Sequence, residues 1–376
     1  MTTQLEKICT INMGQSPDSS TYNEDGNGLP FFQGNADFGE IYPAVRIWCS
    51  EPTKIARKKD ILISVRAPIG ALNIANCECC IGRGLAALTV NENICIQEFL
   101  WHALSSKVEE LNSKGTGSTF KAINKKILAE TKIPLPPLDE QRKIAAVLDK
   151  VSSLIAKRRQ QLDKLDLLIK SRFVEMFGTF PANEQNWPVG KIRDVIQEAR
   201  YGSSRPAVEG GQYPYLRMNN ITYNGELDLT DIKQIDVPES ELPKCTVQYG
   251  DVLFNRTNSK ELVGKTCVYD RDEMMVLAGF VIRVRVNERV LPMFLSRFLN
   301  TDFSKQMLLG MCKTAIGQAN INAQEMQNIG IYIPPIELQK KFVDFENQVK
   351  KTKTTISRSL EKLETLKKAL MQEYFG

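Results

Sequence analysis

The chain has 376 residues, 42% of them hydrophobic, and a formal net charge of +5. That length and apolar content suffice for two to three domains with cores of their own. They exclude a membrane-spanning helix, since no run approaches the roughly 18 apolar residues needed. The start has no signal-peptide pattern, and nine cysteines, an odd number without framework spacing, fit a reducing compartment. A cytoplasmic location is expected.

In chain order, the first readable elements are strands at Asp60–Val65 and Leu85–Val90, apolar and β-branched. Between them lies Cys77-Glu78-Cys79-Cys80. It holds a single C-x-x-C spacing with no second pair, and His102 is the one histidine of the chain, so strand cysteines beside a turn are expected and a metal site is not. After the first strand comes the short loop Ser64-Val65-Arg66-Ala67-Pro68. Further on, Lys114-Gly115-Thr116-Gly117-Ser118-Thr119-Phe120-Lys121 is a glycine-rich turn with hydroxyls and lysines. Such a turn suits phosphate contact, and an ordinary polar surface loop is the other reading.

From Pro136-Pro137 the sequence turns helical. Apolar residues at Ile144, Leu148, Val151, Ile155, Leu162, Leu165, Ile169 and Met176 alternate three and four apart, a heptad seam interrupted by Arg158 and Arg172. Proline at the entry and Gly178 at the exit bound the helix. Beyond it, strands are expected at Asp251–Asn255 and Val276–Val286, the last alternating after Gly279. The loop that follows Asn255 carries Arg256, Thr257, Asn258, Ser259 and Lys260, all able to donate to base edges or phosphates. Lys313 to Gln318 answers the glycine-rich turn. Tyr22, Tyr42, Tyr213, Tyr215 and Tyr223 are assigned to cores by default.

The chain then repeats itself. Phe120 to Gly178 and Gln318 to Gly376 align without a gap at an offset of 198 residues, setting Gln141 on Gln339, Val151 on Val349, Leu162 on Leu360 and Leu165 on Leu363. A period this long is a duplicated domain rather than a solenoid. In the second helix Ile356 and Leu370 stand where the first has its arginines. Each helix holds nine Lys+Arg against six Asp+Glu, or +3, which leaves about −1 for everything else. Basic DNA-facing residues would therefore be local patches, or a partner would supply much of the phosphate neutralisation.

Roughly forty residues at 1.5 Å each make a rod of about 60 Å. The fold expected is α/β (α+β). It comprises a recognition domain over 1–135, a spacer helix over 136–178, a second recognition domain over 179–333 and a C-terminal spacer helix over 334–376. The helices would pair as an antiparallel intramolecular coiled coil with a pseudo-twofold axis, favoured over dimerisation because the partner sequence lies in the same chain. Such symmetry suits two-part recognition of duplex DNA.

The element Ile133-Pro134-Leu135-Pro136-Pro137-Leu138-Asp139-Glu140-Gln141, its second copy ending at Gln339, and Gly117 to Asn124 resemble the repeated regions of the specificity subunits of type I restriction-modification enzymes. The second copy departs from the pattern at Tyr332 and Leu338. The resemblance covers the whole chain. It implies a non-catalytic subunit that reads a bipartite DNA target with a fixed gap. It also implies assembly with two adenine-N6 methyltransferase subunits and with ATP-dependent motor-nuclease subunits, which would hold S-adenosylmethionine, ATP and magnesium. In keeping with this, Leu135-Pro136-Pro137-Leu138 lacks both flanks of a methyltransferase motif, and Gly264-Lys265-Thr266 lacks the glycine of a phosphate-binding loop at Ser259. A self-contained DNA methyltransferase or nuclease, and a coiled-coil scaffold with no nucleic-acid role, are the alternatives. The candidate DNA-contacting residues are Arg66, Lys114, Thr116, Ser118, Lys121, Arg256, Thr257, Asn258, Lys260 and Lys313. Pro136, Gln141, Val151, Leu162, Leu165, Gln339, Val349, Leu360 and Leu363 are assigned to the spacer helices and their partners.

Overall fold

A computed structural model describes residues 2–117, 121–259, 262–315 and 318–376. The chain forms two compact units, one of residues 1–159 with 358–376 and the other of residues 160–357. Each unit thus takes half of one long helix and half of the other.

Both units have the same plan. In the first, the antiparallel sheet runs in the order Cys9–Met13, Leu85–Val90, Ile61–Ser64, Leu72–Ile74. In the second the order is Ile196–Tyr201, Val281–Val286, Val252–Asn255, Thr266–Val268. A second, mixed sheet in each unit contains one parallel pair, Leu29–Phe32 with Cys79–Ile81 and Tyr213–Leu216 with Met275–Leu277. The duplication therefore reaches far upstream of the residues that align by sequence.

The expected strand Val276–Val286 is in fact two. Met275–Leu277 belongs to the mixed sheet and Val281–Val286 to the antiparallel one. Gly279 sits in the break, where its N–H is taken by the Ser203 carbonyl at 2.7 Å instead of by a neighbouring strand. The aspartates expected to open two strands stand just before them. Asp60 accepts from the Arg57 N–H at 2.8 Å and Asp251 from the Gln248 N–H at 2.9 Å. Cys79 and Cys80 are strand residues, and burial pushes the Cys79 thiol up to about 12. Tyr215 is core, but Tyr42 and Tyr223 are more than half exposed, contrary to the default reading.

The first long helix spans Leu138–Phe177 and the second Ile336–Phe375. Pro137 and Pro335 accept the first helical N–H groups, while Gly178 closes the first helix at φ 80, with its N–H on Val174 at 2.8 Å. That left-handed turn is cheap for glycine.

In each unit the two helical halves are antiparallel. In the first, Arg159 pairs with Glu364 at 2.7 Å, and Leu370 and Phe375 join the cluster that holds Ile144 and Leu148. In the second, the Phe173 ring packs 5.3 Å from Phe342, and Lys353 meets Asp166 at 2.6 Å.

The seam departs from a continuous heptad. Ile144, Leu148, Val151 and Ile155 are buried, Leu162, Leu165, Leu360 and Leu363 are half-buried, and burial resumes at Ile169, Phe173 and Phe177. This last run steps by four because it faces a globular core as well as a helix. Arg172 lies beside Phe345 and Glu175 rather than opposite an apolar stripe. Glu346 and Lys353, polar at seam positions, are absorbed by ion pairs to Arg297 and to Asp166 and Glu226.

Candidate nucleic-acid interface

Strand pairing gathers the two suspected reading loops of each unit onto one edge. In the first unit Arg66 and Thr116 both bridge to Ala122, and the Ala67 N–H donates to the Lys121 carbonyl at 3.1 Å. Arg66, Lys114, Thr116 and Lys121 are all exposed. Lys114 is engaged by Glu110 at 2.6 Å. Ser118 lies outside the described residues.

In the second unit the equivalent bridges are full strands. Thr257–Asn258 pairs with Gln318–Asn320, which pairs with Lys313–Ala315, so the backbones of Thr257 and Lys313 both oppose Asn320. The stretch after Asn255 is therefore not the open loop expected. Thr257 is buried, and Asn258 spends its side-chain oxygen on the Ser259 N–H at 2.9 Å. Lys260 lies outside the described residues.

Arg256 is half-buried. Its guanidinium lies 4.8 Å from the Tyr201 ring centroid, donates to Asn320 Oδ1 at 3.2 Å, and has a buried Nε with no partner. No carboxylate pairs with it among the described residues. A cation held over an aromatic face with donors to spare is suited to a base edge or a phosphate. Tyr201, 55 positions upstream and itself 43% exposed, carried no local signal in the sequence. It is fixed by the Ala323 N–H, which donates to its hydroxyl at 2.8 Å.

The edge is anchored behind by matched asparagines. Asn124 and Asn322 cap the short helices Lys125–Ala129 and Ala323–Gln327, while the Ile123 and Ile321 N–H groups bond to Val65 and Arg256 at 2.9 Å.

Away from this edge, each unit grips its long helix through a buried glutamine, Gln141 or Gln339, and through a polar pair. Arg297 meets Glu346 in a two-pronged contact at 2.9 and 2.6 Å, and His102 meets Asp149 at 2.7 Å. These glutamines face their own unit, Val349 joins the core of the second unit and Val151 is buried, and Pro136 supplies its carbonyl to Gln141.

The family model described as the type I restriction modification DNA specificity domain matches this chain twice, over residues 1–166 and 184–365. The chain belongs to that family. Among family relatives, the putative type I restriction enzyme MjaX specificity subunit of Methanocaldococcus jannaschii is 46% identical over 161 residues, covering 43% of this chain and 38% of that one. The EcoKI specificity subunit of Escherichia coli is 24% identical over 270 residues, covering 67% and 58%. The chain thus spans less than two thirds of the length of either. The crystal structure of a type I restriction-modification system S subunit from M. genitalium shares the fold, with a TM-score of 0.59 at 15% identity over 100% of this chain and 96% of that one. A second solved structure, described as concerning complex assembly and conformational transition of the type I system, superposes with a TM-score of 0.61 at 18% identity.

Proposed function

We propose that this chain is the DNA-specificity subunit of a type I restriction-modification enzyme, each unit reading one half of a split target. The observation that carries this is the family match to both halves of the chain, each half bringing its two suspected reading loops onto one hydrogen-bonded edge. The chain supplies recognition, and the chemistry belongs to partners: two methyltransferase subunits with S-adenosylmethionine, and restriction subunits using ATP and magnesium. Arg66, Thr116 and Lys121 are the contacts of one half-site; Arg256, Asn258 and Lys313 are those of the other. Lys114, tied to Glu110, is a phosphate contact at most. The reading places the assembled enzyme on cytoplasmic DNA.

The test is methylome sequencing with and without this chain in a strain that supplies the methyltransferase subunits. One split sequence, adenine-methylated only when the chain is present, is expected. Methylation of a continuous site, or none, would end this reading.

A further inference from the structure

The corner where each unit passes from its mixed sheet to its antiparallel sheet is built twice to one pattern. It is Gly82-Arg83-Gly84 in the first unit and Ala278-Gly279-Phe280 in the second. Three of the backbone bonds correspond in pairs. Gly82 and Ala278 donate to Phe32 and Leu216, both at 2.8 Å; Leu85 and Val281 donate back to Gly82 and Ala278 at 3.0 and 2.9 Å; Gly84 and Phe280 accept from Val65 and Arg256 at 2.9 and 3.0 Å. The middle N–H groups go to Ser16 Oγ at 3.3 Å and to the Ser203 carbonyl at 2.7 Å.

The backbone here has little freedom. A Cβ at Gly84 would lie 2.5 Å from the Gln33 carbonyl oxygen, and one at Gly202, alongside the second corner, 2.0 Å from that of Leu277. Yet the side chains at the two corners point out of the packing. Arg83 is exposed and has no ion pair among the described residues, and Phe280 is 56% exposed, its carbonyl accepting from the Arg256 N–H. Single exposed apolar residues are ordinary. A corner tied by these backbone bonds that holds one out, hydrogen-bonded to an arginine stacked on a second ring, is a pre-organised contact surface that loses little freedom on binding. The same bonds tie each corner to the suspected reading loop, at Val65 in one unit and at Arg256 in the other.

We propose that this corner is a third DNA-reading element in each unit. Arg83 takes a guanine edge, whose paired acceptors match a guanidinium, and Phe280 takes an apolar base feature such as a thymine methyl. The inference rests on the DNA-reading function proposed above and adds two specificity-determining residues to it. The side chains stand at different positions of the shared corner: Arg83 in the middle, where the second unit has Gly279, and Phe280 at the third residue, where the first has Gly84, so the half-sites differ in base chemistry there.

The experiment uses the full chain with its methyltransferase subunits and scores methylation across a library of split sites. Arg83→Ala is expected to lose about tenfold preference at a position of one half-site, leaving the other half-site intact, and Phe280→Ala to do the reverse. Arg83→Gln and Phe280→Leu, gentler on folding, are read by the same criterion and keep the test valid if an alanine variant is unstable. Unchanged preference, or even weakening over all sequences, overturns the proposal. Absence of any split site with the unaltered chain would instead overturn the function on which it rests.

Discussion

Gln141 and Gln339 make the same three hydrogen bonds in their respective units. Gln141 accepts from the Ile96 N–H at 2.9 Å and donates to the Ile94 and Pro136 carbonyls at 3.1 and 2.8 Å. Gln339 accepts from Leu291 at 2.8 Å and donates to Arg289 and Pro334 at 3.1 and 2.8 Å. Both are fully buried. Each amide joins the start of its long helix to the chain entering the helix Gln97–Ser106 or Pro292–Asn300. Alanine at either position strands buried backbone groups, at about 1–3 kcal/mol for an unsatisfied group. Gln141→Ala should therefore lower the melting transition of the first unit and Gln339→Ala that of the second, by several degrees in calorimetry. Both transitions moving together in either variant would contradict this.

Arg297 and Glu346 should be indispensable to each other. Burial raises the Glu346 carboxyl, but the Arg297 charge and then Lys350 outweigh it, holding the group below the usual glutamate value. Removing one partner of a buried pair costs about 3–5 kcal/mol, because the other charge is left uncompensated. Glu346→Ala is expected to unfold the second unit at lower urea, and a double change to Leu at both positions to recover much of the loss. Since the folded carboxyl titrates low, the pair's contribution is present above the ordinary glutamate pKa and disappears as pH falls through the lower folded value.

His102 gives the first unit a dependence at milder pH. Burial lowers its pKa, an effect that the hydrogen bond and charge of Asp149 offset only in part; Lys367 lowers it further and Glu98 raises it. The folded state thus favours the neutral ring. Its contribution is complete above the ordinary value of 6.5 and is lost as pH falls below that, where the unfolded chain gains a proton that the folded one resists. Because His102 is the single histidine, His102→Gln should flatten the stability profile of this unit below the ring's ordinary value of 6.5. A slope that survives the change assigns it to other groups.

Arg66 and Arg256 should separate by their surroundings. Arg66 is exposed, so Arg66→Ala is expected to relax one half-site by about 1–3 kcal/mol without altering the melting curve. Arg256 is stacked on Tyr201 and bonded to Asn320. Arg256→Ala should relax the other half-site by a similar amount and also destabilise its unit. Lysine at 256 should not restore either, having no planar fork.

Under the proposed function the long helices set the gap in the target. Deleting one heptad from each shortens each by about 10 Å, some three base pairs at about 3.4 Å per pair. The methylated gap should change while both half-sites stay as they were. Altered half-sites would mean that the helices themselves take part in reading.

Much of this molecule was legible along the chain. Proline entries, a glycine exit and apolar spacing marked both long helices, because helix boundaries and periodicity are local chemistry. The repeat from Phe120 and the matched Asn124 and Asn322 likewise followed from the residues themselves. The loops proposed to read DNA were recognisable as polar, but not as exposed or buried. Thr257 reads as a loop hydroxyl and is packed inside; Arg256 reads as a free cation and has Tyr201 beneath it.

What the sequence by itself determined was the family resemblance, the duplicated helices and the residues from which the proposed reading edge is built. The tertiary structure alone decided that Val276–Val286 breaks at a corner, that Gln141 and Gln339 face inward, and that Glu346 and Lys353 are tolerable in a seam. The physical reason is common to these cases. Burial and ion pairing depend on partners 49 to 187 residues away, as for Arg297 with Glu346 and Lys353 with Asp166, and no local pattern specifies a neighbour that only folding brings into contact.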